Sequence, residues 1–266
     1  MFEKEIINLY KKGYTADSLI NKFNISGDDI GKICQNVYQN IHKRYYEKLR
    51  IITHYQKHPQ MRPFVGKKYG VKKKLLIIAE SHFLDDDTTK KSTIKNWYNL
   101  TNKELKEDQI SWTNTAKVID HNIWANRYTD AHIIYKFIRN AISESCFNKL
   151  SDNQLLYISY MNFFQRPAEK TGESIIYTEK DIEIANNTLK KVLKIINAEY
   201  IFFISSKAWD NFDKHLFDPR KTGHSCHPTC KWWNMETKKY TKPNSKEKIT
   251  GKNSFIYFLR YNKIFN

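Results

Sequence analysis

Five consecutive apolar residues, Leu75-Leu76-Ile77-Ile78-Ala79, run directly into Glu80-Ser81-His82-Phe83, and no other stretch constrains the fold as much. A strand turns alternate side chains to opposite faces, so a run with no polar position needs apolar cover on both sides. That describes a central strand of a parallel sheet, whose neighbours are reached by helical crossovers. Residues 155–161 and 200–205 have the same short apolar character, and the amphipathic stretch 181–196 lies between them. The alternation predicts an α/β fold, a three-layer α/β/α sandwich around a parallel sheet. Ligands of such sheets bind beyond the carboxyl ends of the strands, so the acid, hydroxyl, imidazole and ring at 80–83 mark a candidate site.

Ahead of this unit, residues 2–50 read as three helices. Ile6, Ile7, Leu9 and Tyr10 recur at helical spacing, Gly13 breaks the run, Thr15 can cap a helix carrying Leu19, Ile20 and Phe23, and Ser26 opens a third with Ile30, Ile33 and Val37. The stretch from Leu9 to Leu19 resembles the start of resolvase-type helix-turn-helix modules, whose last helix lies in the DNA major groove. The polar, basic stretch 46–60, followed by Pro63, reads as a linker, giving a small helical domain over 1–58 and a main domain over 59–266. Within the latter, the polar insertion 90–124, with Trp97, Trp112 and Trp124, is expected to form helices over the mouth of the sheet. The run 254–261 is expected to be a helix following Gly251.

The chain carries 45 Lys and Arg against 28 Asp and Glu, a formal charge of +17, and such an excess attracts polyanions through counterion release. DNA is therefore the expected partner, and no obligate protein partner is evident. A hydrophobic content of 40% excludes a disordered chain. No run of 18 apolar residues and no signal-peptide core are found, so a cytoplasmic protein without membrane contact is expected. The four cysteines are too scattered for a disulfide scaffold. His224, Cys226, His227 and Cys230 form H-x-C-H-x-x-C, which matches no common zinc spacing and lacks a distant second pair; no metal or other cofactor is expected.

Three motifs in this order resemble those of the uracil-DNA glycosylase superfamily, over roughly residues 62–262. That family's first strand ends in a loop of the form G-Q-D-P-Y or G-E-x-P-G, where this chain has Ala79-Glu80-Ser81-His82-Phe83, preceded by Arg62-Pro63-Phe64-Val65-Gly66. Its second strand ends in a base-reading asparagine, similar to Asn162 in Tyr160-Met161-Asn162-Phe163-Phe164. Its H-P-S-P-L-S motif is similar to His227-Pro228-Thr229-Cys230-Lys231-Trp232. The resemblance implies a central four-stranded parallel sheet sandwiched by helices, and a DNA glycosylase that flips a base and hydrolyses its N-glycosidic bond. It implies catalytic roles among Glu80, Ser81, His82 and His227, with Phe83, Asn162 and Phe163 around the base. Arg166, Ser205, Ser206, Lys207, Thr229, Lys231, Trp232 and Trp233 fall where the family grips or wedges DNA.

The family's water-directing aspartate is replaced by Ser81, which cannot ionise to stabilise an oxocarbenium ion. Glu80 is the first candidate for that role, with His82 or one of Asp85, Asp86 and Asp87 as rivals. The change points away from plain uracil and toward a modified or damaged base, and some members of the superfamily act against modified phage DNA. Two readings from other classes compete. One is a catalytically inactive DNA-binding or regulatory protein that uses the N-terminal helices. The other is a small-molecule hydrolase with Ser81 as nucleophile, which the missing G-x-S-x-G elbow disfavours.

Overall fold

A computed structural model of the chain describes residues 2–12, 14, 16–34, 39–84, 94–125, 133–147, 150–242 and 245–266. In chain order its helices are α1 (Phe2–Lys11), α2 (Ala16–Phe23), α3 (Gly27–Ile33), α4 (Lys43–Lys48), α5 (Thr53–Lys57), α6 (Glu107–Trp112), α7 (Thr115–Ala125), α8 (Ile133–Ser145), α9 (Glu179–Ile196), α10 (Ser206–Asn211) and α11 (Gly251–Tyr261). Its strands are β1 (Phe64–Val65), β2 (Leu75–Ala79), β3 (Ser159–Asn162), β4 (Tyr200–Phe203), β5 (Thr222–His224), β6 (Thr237–Thr241) and β7 (Lys248–Ile249).

The fold is mixed α/β. Five strands form one mostly parallel sheet in the order β1-β3-β2-β4-β5, and β6 pairs with β7 in a separate hairpin. β2, β3, β4 and β5 are parallel, while β1 adds to β3 antiparallel. The sheet thus has five strands rather than the expected four. Two residues between Pro63 and Gly66 are too few to show a period, which is why β1 leaves no trace in the sequence. Residues 154–157 wind into a short 3-10 turn capped by Asn153, so β3 begins at Ser159, later than the apolar run implies.

Alternation along β2 splits the core into two clusters. Leu75, Ile77 and Ala79 pack with residues of α7, α8 and α11, among them Ile119, Ile138 and Phe255. Leu76 and Ile78 pack on the opposite face with Ala185, Leu189 and Val192 of α9 and Ala208 of α10. Helices therefore cover both faces, as a strand without polar positions demands. α9 begins in a reciprocal capping box between Thr178 and Asp181 and ends at Asn197, which takes the left-handed conformation at φ 51°.

α1, α2 and α3 bury Ile6, Tyr10, Leu19, Ile30 and Cys34 in a cluster of their own. Ser26 caps α3, its hydroxyl accepting from the Asp29 amide at 3.1 Å. The expected cap Thr15 and the expected core residue Val37 lie outside the described residues. The linker expected over 46–60 is instead packed into the main body: Tyr46 joins one face's core, and Leu49, Ile52 and Tyr55 join the other. Its lysines and arginines mask an apolar residue at every third position, 46, 49, 52 and 55, carried on α4, a 3-10 turn, the extended Ile52 and α5. No helix among the described residues is long and apolar enough to cross a membrane.

Candidate active site

Strand register aligns the carboxyl ends of the parallel strands. Ala79 lies opposite Asn162, Ile78 opposite Phe203, and Phe203 opposite His224. The strand tips and the residues just past them are therefore gathered along one edge of the sheet: Glu80 after β2, Asn162 at the tip of β3, Ser205 after β4 and His227 after β5. A cavity of about 610 Å³ opens there, lined among others by Glu80, Ser81, His82, Phe83, Asn162, His227 and Thr229. The α6–α7 region supplies Trp112, Thr115 and Val118, so the insertion does cover the mouth. Ile134 and Tyr135 of α8 add further wall.

Glu80 is held by three donors. The Ser174 hydroxyl and the Ile175 amide, the latter at 3.1 Å, donate to Oε1, and the Ser205 hydroxyl donates to Oε2 at 2.9 Å. Ser205 also caps α10, accepting from the Ala208 amide at 3.1 Å. A carboxylate offers about four acceptor positions, so one remains for a ligand. Asn162 is 8% exposed, and its side-chain amide forms no hydrogen bond among the described residues. An amide that lines the cavity without protein partners is free to pair with a ligand.

Thr229 fixes the ring of His227: its amide donates to Nδ1 at 3.3 Å, and its hydroxyl lies 2.7 Å from the same nitrogen. An N–H can only donate, so Nδ1 accepts and the neutral ring carries its proton on Nε2. Burial lowers the His227 pKa, and the nearby Glu80 carboxylate opposes that in part. The lowered pKa favours the neutral imidazole, whose N–H in this tautomer is on Nε2. His82 lies 3.0 Å through Nε2 from the Thr115 hydroxyl, and burial drives its pKa down to about 4. It is a neutral wall, and its main chain pairs with Pro167. Phe83 lies against Trp112 with ring centroids 5.5 Å apart, forming an aromatic side of the cavity.

Other sequence candidates sit elsewhere. Phe163 follows Asn162 and so faces the other side of the sheet, fully buried among Phe164 and Phe203. Arg166 is buried and saturated: it binds Asp181 through Nε at 2.7 Å, Glu169 at 2.8 Å and the carbonyls of Pro167 and Ile176. No donor is spare for a phosphate. Trp233 is in the core against Phe255, whereas its neighbour Trp232 is 39% exposed with the Lys231 ammonium 4.7 Å from its ring centre. Ser205 is buried, and its hydroxyl serves Glu80 rather than a DNA backbone. Ser206 begins α10, and Lys207 is half-buried, donating to the Ile175 carbonyl at 2.6 Å. Asp85, Asp86 and Asp87 lie outside the described residues.

His224 stacks on Trp209 at 4.4 Å and 4°, and the Cys226 thiol is pushed up to about 12 by burial and the adjacent Cys230. Among the described residues no group of three or more His, Cys, Asp or Glu is placed to hold a metal ion. Thr171, Gly172, Glu173 and Ser174 complete the cavity wall without any motif to announce them. Only the Thr178–Asp181 capping box, which fixes where α9 starts, marks the loop that carries them.

No protein-family model matches the chain, and no curated protein or solved structure matches it.

Proposed function

We propose that this chain is a monofunctional DNA glycosylase of the uracil-DNA glycosylase type, an α/β/α sandwich that receives a flipped, modified or damaged base and releases it to leave an abasic site. The supporting observation is the convergence of Glu80, Asn162 and His227 on one cavity from three strand ends. Cleaving an N-glycosidic bond leaves positive charge on the sugar and negative charge on the base, so a site for it needs an anion, a hydrogen-bond donor and a base-reading group.

In this reading the Asn162 amide pairs with the edge of the base and the Nε2–H of His227 donates to a base oxygen as charge develops there. As the C1′–N bond breaks, its electron pair leaves with the base, and water adds to C1′. Glu80 stabilises the cationic sugar and accepts the proton of that water, the role that Ser81 cannot take. A cavity of about 610 Å³ lies in the range that houses drug-sized ligands. The room beside Phe83, Trp112 and Val118 suits a base with a substituent, such as a modified pyrimidine of phage DNA met in the cytoplasm. Trp232 is the wedge candidate, and α1–α3 are a candidate helix-turn-helix docking module.

Oligonucleotides and phage genomes carrying different modified bases, incubated with the protein and then treated with alkali, should show strand breaks at abasic sites. Full activity in both Glu80→Gln and His227→Ala would overturn the assigned roles. Ser81 favours a second reading, a non-catalytic DNA-binding protein. There the alkali assay stays blank while a sequence-selective gel shift depends on residues 2–50.

A further inference from the structure

The loop from Ala168 to Thr178 does more than complete the cavity wall. All four backbone groups of Ile175 and Ile176 are tied to charged side chains: the Ile175 amide donates to Glu80 and its carbonyl accepts from Lys207, while the Ile176 amide donates to Glu169 and its carbonyl accepts from Arg166. Arg166 is itself clamped to Asp181, and Thr171 ties the loop's start to the Leu84 carbonyl at 2.5 Å. These ties anchor the backbone of the segment. Yet at its tip Ile176 is 72% exposed, and Tyr177 is 39% exposed with one face stacked on Phe164 at 5.3 Å. The Lys207 ammonium lies 5.7 Å from the Tyr177 ring centre.

An exposed apolar side chain, a supported aromatic ring and a cation, two residues from the cavity wall, match the chemistry that holds an unpaired nucleic-acid strand: a platform for a base and a positive charge for its phosphate. The charge of +17 makes a polyanion the favoured occupant of this rim. We infer that Ile176 and Tyr177 dock the strand that flanks the cavity, and that this docking guards against opening of the Ser174 and Ile175 bonds already made to Glu80. The inference rests on the cavity being the nucleotide site proposed above. Strand contact and acid placement would then be carried by adjacent residues of one loop.

The test measures binding of fluorescein-labelled single-stranded and duplex 20-mers by anisotropy, together with hydrogen exchange of the 168–178 segment. Ile176→Ser and Tyr177→Ala leave the net charge unaltered. Each should weaken single-strand binding about tenfold, the loss of one base contact, with the salt slope unchanged. Ile51→Ser, at an equally exposed isoleucine on another surface turn, should bind as the parent does. Adding the oligonucleotide should slow exchange of the Ile175 amide in the parent and not in Ile176→Ser. Parent-like binding by both variants, or exchange at Ile175 indifferent to DNA, would overturn the inference. Base release is scored separately. Intact strands in the alkali assay with weakened binding here remove the enzyme and keep the rim contact, whereas release with parent-like binding does the reverse. Thermal melting of each variant confirms that it is folded.

Discussion

Two loops close the candidate site, and they are built differently. The loop after β3, residues 168–178, is held mainly by ties to residues outside it: Arg166 to Asp181 and Ile176, Lys207 to Ile175, Thr171 to Leu84. The loop after β5 is held by neighbours in sequence. The Cys230 amide donates to the His227 carbonyl, Thr229 binds the His227 ring, and Trp233 anchors the far end in the core. Each brings polar groups to the cavity, Ser174 among them on one and His227 on the other, and each carries exposed apolar side chains nearby, Ile176 and Tyr177 on the first and Trp232 on the second. A locally held loop carries its geometry within a short motif. One held from afar does not.

Breaking the distant ties should have the largest effect. Asp181→Ala strands the buried Arg166 guanidinium and removes the α9 capping box, so denaturant unfolding should show a loss of about 4 kcal/mol. Burial alone would raise the Asp181 pKa, but Arg166, Tyr98 and Thr178 outweigh it and hold it below the ordinary value. A depressed carboxylate stabilises the fold above its unfolded pKa, and that stability is lost as pH falls toward the folded one. The acid limb of the parent's stability curve should therefore flatten in Asp181→Asn.

Disturbing the local loop ranks second. His227→Ala should cut single-turnover base release by about 10² to 10³-fold, the usual cost of removing one donor to a developing anion, while melting changes little. Ser174→Ala should slow release about tenfold with oligonucleotide affinity unchanged, because one of three donors to Glu80 is lost. A result as severe as His227→Ala would show that the distant loop contributes equally to chemistry. The smallest effect is electrostatic. Glu80 opposes the burial that lowers the His227 pKa, so Glu80→Gln should lower it further, and NMR titration of the imidazole should show the ring staying neutral to more acidic pH.

The same contrast explains what could be read from the residues. Strands β2 and β4, helices α9 and α11 and the cover over the mouth are legible in apolar runs and helical spacing. Glu80 and Asn162 are legible because each lies just beyond an apolar run, whereas His227 is legible only as part of a polar cluster that resembles a motif, since β5 carries no apolar run. Phe163 belongs to the opposite face from Asn162 by twofold alternation, a rule that adjacency in the motif hides. Arg166 reads as a DNA contact because a surface cation and a buried one look alike until Asp181, fifteen residues on, is brought against it. The Glu80 clamp is invisible in the sequence, since Ser174 and Ser205 meet it across 94 and 125 residues.

The borders of the main sheet have a practical result. One is the two-residue β1 and the other the three-residue β5. Such stubs offer few free backbone groups to a neighbouring copy. Copies of the chain crowded together thus have little means of zippering into aggregates through their margins.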